Sequence, residues 1–344
     1  MREQVSHNFE ITIFGQGMQK TINTDNLKIG MYVILPLSWY QHPFVKNEFL
    51  IRSKEQIQKI SESGIAEVIL DTKKSNFTGE QKNRAPQTES EKTARPPTSR
   101  TVVPDGLLEA IHDVNLAPQE KAKAVRAHSI TMISNLLENP TAENIQDVKK
   151  GIAEVVDLIL TDDDTSLYLL DITSHDFYTY THSVNVGFLA VSLSKALFKK
   201  SEAHNMHELG AGFFLHDLGK VEVDASIINK PGKLTEEEMA QMRQHPHMGY
   251  KLLYETNQLT HECKKIVLQH HERYDGKGYP DGLERDDIHL YGRICSIADV
   301  FDALTSERSY RQKLDPFAAL KLMKEEMIHH FHRDLFEQFV LLFK

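Results

Sequence analysis

Cysteine is scarce in the chain, with only Cys263 and Cys295 among 344 residues. Both lie among helix-forming residues rather than in a paired motif, which argues against a disulfide framework and against a cysteine-based zinc site. The chain also lacks an apolar run near the roughly 18 to 20 residues that a membrane span needs, and its first residues lack the basic and then apolar order of a signal peptide. We therefore expect a cytoplasmic protein without a membrane span.

Positive charge is not in excess, because the formal net charge is -9. This balance argues against general nucleic-acid binding, so no DNA partner is expected, although a local basic pocket could accept a small phosphate ligand. A hydrophobic content of 40% allows a sizeable core, and the length favours two domains. Histidine is abundant, with 18 residues that lie mostly beyond position 175. The chemistry is therefore expected in the second half of the chain.

Composition and periodicity divide the chain into four predicted parts. The parts are residues 1–75, 76–105, 106–165 and 166–344. The first is predicted to be a small α+β domain, with strands at 28–35 and 65–70 around a helix that Ser53 and Gln56 cap. The second is rich in Lys, Ser, Thr, Pro, Gln and Glu and is predicted to be a flexible polar linker. A helical hairpin connector and a helical catalytic domain follow, so the predicted fold class is mainly α.

Seven side chains on the predicted helices of the second half could bind metal. They are His182, His216, Asp217, His245, His270, His271 and Asp299. Imidazole and carboxylate ligands suit iron, manganese or zinc, and seven ligands exceed the needs of one ion with open positions. The set favours a binuclear site in which Asp217 is the best candidate to bridge the two ions. Water shared by two cations is acidic enough to be hydroxide near neutral pH.

Four of these side chains point to a known family. His216 and Asp217, with His182 upstream and Asp299 downstream, resemble the HD superfamily of metal-dependent phosphohydrolases. The resemblance implies that the helical domain has an all-helical HD-type phosphohydrolase fold.

A second motif narrows the resemblance to one branch of that superfamily. The run HHERYDGKGYP, at residues 270–280, resembles the defining signature of the HD-GYP branch, the bacterial cyclic dinucleotide phosphodiesterases. The resemblance covers about residues 170–320. Residues 1–75 also resemble, more weakly, the domain of unknown function that often precedes HD-GYP domains.

The resemblance implies a role for each matching residue. One metal would be held by His182, His216, Asp217 and Asp299, and the other by Asp217, His245, His270 and His271. Lys220 would hold the scissile phosphate and stabilise its developing charge, so the implied catalytic residues are Asp217 and Lys220. Arg308 and Arg311 match positions that bind substrate phosphate or guanine. Asp302 could orient substrate or a ligand, and Tyr279 could stack on a base.

The resemblance also implies cofactors and partners. The cofactors would be two divalent metal ions, with iron or manganese favoured and magnesium, nickel or zinc as alternatives. Some family members hold a third metal with a glutamate four residues before the first histidine, and here that position is Tyr178, a poor ligand. Besides the cyclic dinucleotide, the implied partners are proteins such as GGDEF-type cyclases, and the chain could form a homodimer.

We hypothesise a phosphodiesterase that linearises cyclic di-GMP to pGpG, and that could continue to GMP. A metal-bridging hydroxide would attack phosphorus while Lys220 and the metals take up charge. One alternative is another cyclic dinucleotide, such as 3′3′-cGAMP, and a second is a cyclic dinucleotide-binding signalling protein with little turnover. An HD enzyme for nucleoside monophosphates ranks last, because it gives no reason for the glycine-tyrosine-proline run at 278–280.

Overall fold

A computed structural model represents the chain. It describes residues 19–35, 48–51, 53–62, 65–72, 74–75, 101–171, 179–199, 201–228, 230, 232–306 and 313–343. Two compact units divide the chain: the first is Met1–Pro96 with Ala225–Lys233, and the second is Pro97–Asp224 with Leu234–Lys344. Within the described ranges, no helix is long and apolar enough to cross a bilayer.

The first unit carries a four-stranded antiparallel sheet in the order β1-β4-β2-β3. Its strands are β1 (Gln19–Asn23), β2 (Tyr32–Ile34), β3 (Glu48–Leu50) and β4 (Glu67–Asp71), and its helices are α1 (Lys54–Glu62) and α8 (Ala225–Ile228). Val33 pairs with Leu70 across two strands, and both side chains are buried in a small core with Ile60 of α1. Ser53 and Gln56 exchange hydrogen bonds at the start of α1, so the predicted capping box is confirmed.

The second unit is helical, so the mainly α prediction is confirmed. Its helices are α2 (Asp105–His112), α3 (Pro118–Glu138), α4 (Ala142–Thr161), α5 (Asp163–Asp171), α6 (Thr179–Phe198), α7 (Met206–Phe214), α9 (Glu236–Met242), α10 (His245–Glu255), α11 (His261–Gln269), α12 (Leu290–Thr305), α13 (Pro316–Glu325) and α14 (Arg333–Leu341). One hydrophobic core extends from Val102 to Phe339, so α2 to α4 share it with the later helices. The boundaries of the four predicted parts stay predictions.

The short apolar helix α7 lies at the centre of this core. It packs against α4, α6 and α11, and Phe213 and Phe214 are almost fully buried. The ring of Phe214 meets that of Phe188 on α6 edge to face, with centroids 5.6 Å apart. Sequence patterning predicts a helix as far as Leu218, which is wrong, because α7 ends at Phe214. The amide of Leu218 bonds to the carbonyl of Leu215, and the chain tightens into a 3₁₀ helix, Leu218–Glu222.

Candidate metal centre

Four buried imidazole rings each form a hydrogen bond through Nδ1 that fixes the orientation of the ring. The acceptors are Phe213 O for His216 at 2.8 Å, Met242 O for His245 at 2.8 Å, Val267 O for His270 at 2.9 Å, and Asp302 Oδ2 for His182 at 2.7 Å. Since a carbonyl or carboxylate oxygen can only accept, each Nδ1 carries the proton. In the neutral form of each ring, Nε2 is therefore left with a lone pair.

These Nε2 atoms meet in two pairs around one carboxylate. His245 Nε2 lies 3.0 Å from His270 Nε2, and both are near Asp217 Oδ1, at 3.2 and 3.7 Å. His182 Nε2 lies 3.3 Å from His216 Nε2, and both are 3.5 Å from Asp217 Oδ2. In the described part of the chain, Oδ1 has no hydrogen-bond donor. Acceptors therefore converge on two points, one on each side of Asp217, and a cation at each point would satisfy them.

The two remaining predicted ligands complete this arrangement. Asp299 Oδ1 is 3.0 Å from His182 Nε2, and Asp299 Oδ2 is 3.3 Å from His271 Nδ1. Two groups of donor atoms each lie within 4.8 Å of one another. The first group is Asp217, His245, His270 and His271, and the second is His182, His216 and Asp217. The structure thus brings together all seven predicted ligands, and their donor set fits two divalent cations that share Asp217.

Three of the imidazoles are kept neutral by their surroundings. Burial lowers the pKa of His245 and of His270 below the ordinary histidine value. For His271, burial and then the neighbouring His270 ring lower the pKa to about 3. Neutral imidazole is the form that binds a metal, so these rings are ready to do so near pH 7.

The carboxylates of the site are ionised. Burial acts to raise the pKa of Asp217, but the Lys220 ammonium, whose Nζ is 2.6 Å from Oδ2, and nearby imidazoles hold the pKa well below its usual range. Burial alone would lower the pKa of His182, but its hydrogen bonds to Asp299 and Asp302 outweigh burial and raise it to about 9. The ionised carboxylates therefore place negative charge where the two cations would sit, and a cation bound by His182 would displace the proton from its ring.

Asp302 lies behind the ligands rather than in front of them. Its side chain has no exposed surface, and its two oxygens accept from His182 Nδ1 at 2.7 Å and from Asn185 Nδ2 at 2.8 Å. A group buried in this way cannot touch substrate, so the prediction that Asp302 binds substrate directly is wrong. The contacts fit the other predicted role, in which Asp302 orients the ring of a ligand.

Close backbone packing sets the position of the turn that carries His216 and Asp217. A Cβ atom at Gly219 would overlap the carbonyl oxygen of His245 and the amide nitrogen of Gly249. Only glycine allows the 3₁₀ helix to lie this close to the start of α10. The contact places the metal-binding turn and His245 side by side.

The loop after α11 is organised by Glu272, a residue whose role the sequence analysis missed. Its buried carboxylate accepts backbone hydrogen bonds from Asp281, Gly282 and Leu283, at 2.8 to 3.1 Å. A Cβ at Gly278 would lie within 2.6 Å of the backbone of the preceding segment, so this glycine is also required by close packing. A carboxylate directly before a glycine-rich loop was the available sequence signal.

The ring of Tyr279 packs against two of the candidate ligands. Its ring centroid is 4.6 Å from that of His271 and 6.3 Å from that of His245. Burial raises the pKa of Tyr279, so its hydroxyl stays protonated at neutral pH. The guanidinium carbon of Arg243, a second residue that the sequence analysis missed, is 5.5 Å from the Tyr279 centroid.

A third group of potential ligands lies on the other side of this loop. Donor atoms of Asp275, His329 and His330 come within 4.8 Å of one another. Arg273 already bonds both oxygens of Asp275, through Nε at 3.0 Å and through Nη2 at 2.5 Å. The Asp275 carboxylate is therefore already paired with the Arg273 guanidinium, and this group of side chains does not need a metal ion.

Three residues from the sequence analysis lie outside the described ranges. They are Tyr178, Arg308 and Arg311.

Asn185 is a third residue that the sequence analysis missed. An asparagine three residues after a candidate metal-binding histidine, in a buried apolar helix, is a detectable signal.

Comparisons with known proteins find matching families and relatives. The model of the HD domain family matches residues 169–335, and that of a domain of unknown function, DUF3391, matches residues 19–150. Cyclic di-GMP phosphodiesterase PA4108 of Pseudomonas aeruginosa is 32% identical over 327 residues, which is 94% of this chain and 76% of that protein. The 3′3′-cGAMP-specific phosphodiesterase 2 of Vibrio cholerae is 44% identical over 127 residues, 36% of this chain and 24% of that protein.

A solved structure shares the fold. It is Bd1817, described as an HDG"Y"P protein from Bdellovibrio bacteriovorus, with a TM-score of 0.59, 16% identity, and coverage of 94% of this chain and 99% of that chain. The HD-domain match and the Pseudomonas relative show that the chain belongs to the HD-GYP branch of the HD-domain phosphodiesterases, with a DUF3391 domain ahead of the HD domain.

Proposed function

We propose that the chain hydrolyses cyclic di-GMP to linear pGpG with two divalent cations, of which iron and manganese are favoured. The observation that supports this most directly is the pair of acceptor clusters on the two oxygens of Asp217, which cations would complete. In the reaction, water adds to phosphorus, the bond from phosphorus to the 3′ oxygen breaks, and that oxygen takes up a proton. A second hydrolysis would carry the product on to GMP.

The residues divide between the two cations by the oxygen of Asp217 that they face. His182, His216 and Asp299 would hold one ion with Oδ2, and His245, His270 and His271 the other with Oδ1. Bound there, the cations would lower the pKa of water to near neutral and stabilise the negative charge that develops at phosphorus. Position 178 offers a phenol, so we propose two ions and not three.

Lys220 would bind the scissile phosphate. Its ammonium lies 2.6 Å from Asp217 Oδ2, and its side chain is 18% exposed, so Nζ sits at the wall of the pocket and can reach a ligand there. The Lys220 ammonium at this position would stabilise negative charge on the transferred phosphoryl group. We propose that Tyr279 closes the pocket over the ligands, where its edge or face could meet a base, and that Arg308 and Arg311 contact phosphate or guanine.

Turnover and product analysis test this function. Metal-free protein is reconstituted with Mn²⁺ or Fe²⁺, and products from cyclic di-GMP are separated by chromatography. Lys220→Met should lose about a hundred- to a thousandfold in kcat with unchanged metal content, since it removes one charge contact of the transition state. Lys251→Met is the matched control, because that side chain is 71% exposed and pairs with Glu255 on its own helix. Equal turnover by wild type and Lys220→Met would contradict the role of Lys220.

A second candidate substrate is 3′3′-cGAMP, because a similar protein from Vibrio cholerae is named for it. Competition between the two cyclic dinucleotides in the same assay decides between them. A binding protein with little turnover is less well supported, since it gives no use for a complete and buried set of metal ligands. A GGDEF-type partner, a homodimer and a cytoplasmic location stay predictions.

A further inference from the structure

A surface groove runs along one face of α9. Its volume is about 390 Å³, and it is lined by Leu234, Thr235, Glu236, Met239 and Arg243. The last three are spaced three and four residues apart, so they lie on one side of the helix and its C-terminal cap. A volume of this size lies within the roughly 300 to 1,000 Å³ typical of small-molecule sites.

The groove is connected to the candidate metal centre through the ring of Tyr279. Arg243 lies 5.5 Å from the Tyr279 ring, and that ring lies 4.6 Å from the ring of His271. From Arg243 to Glu236 the helix rises by roughly 10 Å, at about 1.5 Å per residue. A ligand whose phosphate sat at the metals could therefore extend another group along this face.

The polar groups of the groove are available to a ligand. Among the described residues, neither the Arg243 guanidinium nor the Glu236 carboxylate has an oppositely charged partner, and both residues are exposed. Between them lies Met239, an apolar side chain that is 36% exposed. The face thus offers a planar fork of donors, an apolar surface and an acceptor in sequence.

Building on the proposed function, we propose that this groove binds one guanine base of the cyclic dinucleotide. Guanine presents two acceptors, O6 and N7, which match the fork of Arg243. It also presents N1–H and N2–H donors, for which the Glu236 carboxylate is an acceptor, and Met239 packs against the ring. Adenine has an amino group in place of O6 and no N1–H, so the groove selects for guanine.

The test compares a substrate that carries guanine bases with one that carries no base. The first is cyclic di-GMP, and the second is bis(p-nitrophenyl) phosphate, a phosphodiester without a base. In Arg243→Met, the ratio of kcat/KM for the first to kcat/KM for the second should fall about ten- to a hundredfold, as expected for loss of one bidentate base contact. Arg243→Lys keeps the charge but not the fork, so it should lose most of the same ratio. Glu236→Gln should also lower the ratio.

Arg333→Met is the matched control, because that side chain is 79% exposed and pairs with Glu337 on its own helix. An unchanged ratio in Arg243→Met, or a full ratio in Arg243→Lys, would overturn the guanine assignment. Equal losses on both substrates would also overturn it, because Arg243 would then act on the phosphodiester. Failure of the proposed function looks different, since the wild-type protein itself would show no turnover of cyclic di-GMP, and the assignment would fall with it.

Discussion

Replacing Asp302 with Asn should weaken one of the two metal sites. Asp302 holds the Nδ1 proton of His182 at 2.7 Å and accepts from Asn185 at 2.8 Å, in a position with no exposed surface. An Asn side chain has one oxygen in place of two, so in either orientation its amide group faces a hydrogen-bond donor. If that donor is His182, the ring must move its proton to Nε2, which can then no longer bind a cation.

The size of the effect follows from the position of Asp302. Partners that lie behind a metal-binding histidine typically contribute ten- to a hundredfold in metal affinity, which is about 1.4 to 2.8 kcal/mol. Only the site of His182 should weaken, because the contacts of His245 and His270 with Met242 and Val267 remain intact.

Calorimetric titration of metal-free protein with Mn²⁺ measures both sites. The prediction is a loss in one affinity and no change in the other. Asp286→Asn is the matched control, since that side chain is 83% exposed and pairs with Arg293. Unchanged binding at both sites in Asp302→Asn would refute the role of Asp302.

Two further predictions concern packing and reactivity. Gly219→Ala places a Cβ atom against His245 O and Gly249 N, so it should lower the free energy of unfolding by about 1 to 3 kcal/mol and reduce the metal content. Urea unfolding and metal analysis measure these two effects. Wild-type stability in the variant would contradict the close contact. Burial raises the pKa of Cys263 to about 11 and that of Cys295 well above its usual value, so at pH 8 only about one Cys263 thiol in a thousand is ionised. Both thiols should react with a disulfide reagent only after unfolding, and rapid labelling of the folded protein would be inconsistent with this burial.

The side chains that converge at the candidate metal centre could be predicted from the sequence, because imidazole and carboxylate groups are the ones that suit such cations. His182, His216 and Asp299 are separated by long stretches of chain, yet the folded chain brings their donor atoms together as the motif implied. The mainly α fold, preceded in sequence by a small α+β domain, was also predictable, since helix caps and apolar stripes are local signals. The end of α7 was placed too late, because the tighter turn after Phe214 depends on packing against α10.

The supporting residues could not be predicted in the same way, because their roles depend on contacts between distant parts of the chain. Asn185 and Asp302 are 117 residues apart, and only the packing of α6 against α12 brings them together. Arg243 reaches the site through the ring of Tyr279 and not through a ligand position. Spacing along the sequence carries no signal for such contacts.

The most direct test of the two-cation site that shares Asp217 is turnover of cyclic di-GMP by metal-reconstituted protein, compared between wild type and Asp217→Ala with metal content measured on the same samples. We predict two metal ions per wild-type chain and formation of the linear dinucleotide, and loss of both bound metal and product in Asp217→Ala. Undiminished turnover in metal-treated Asp217→Ala, or three ions per wild-type chain, would contradict the site.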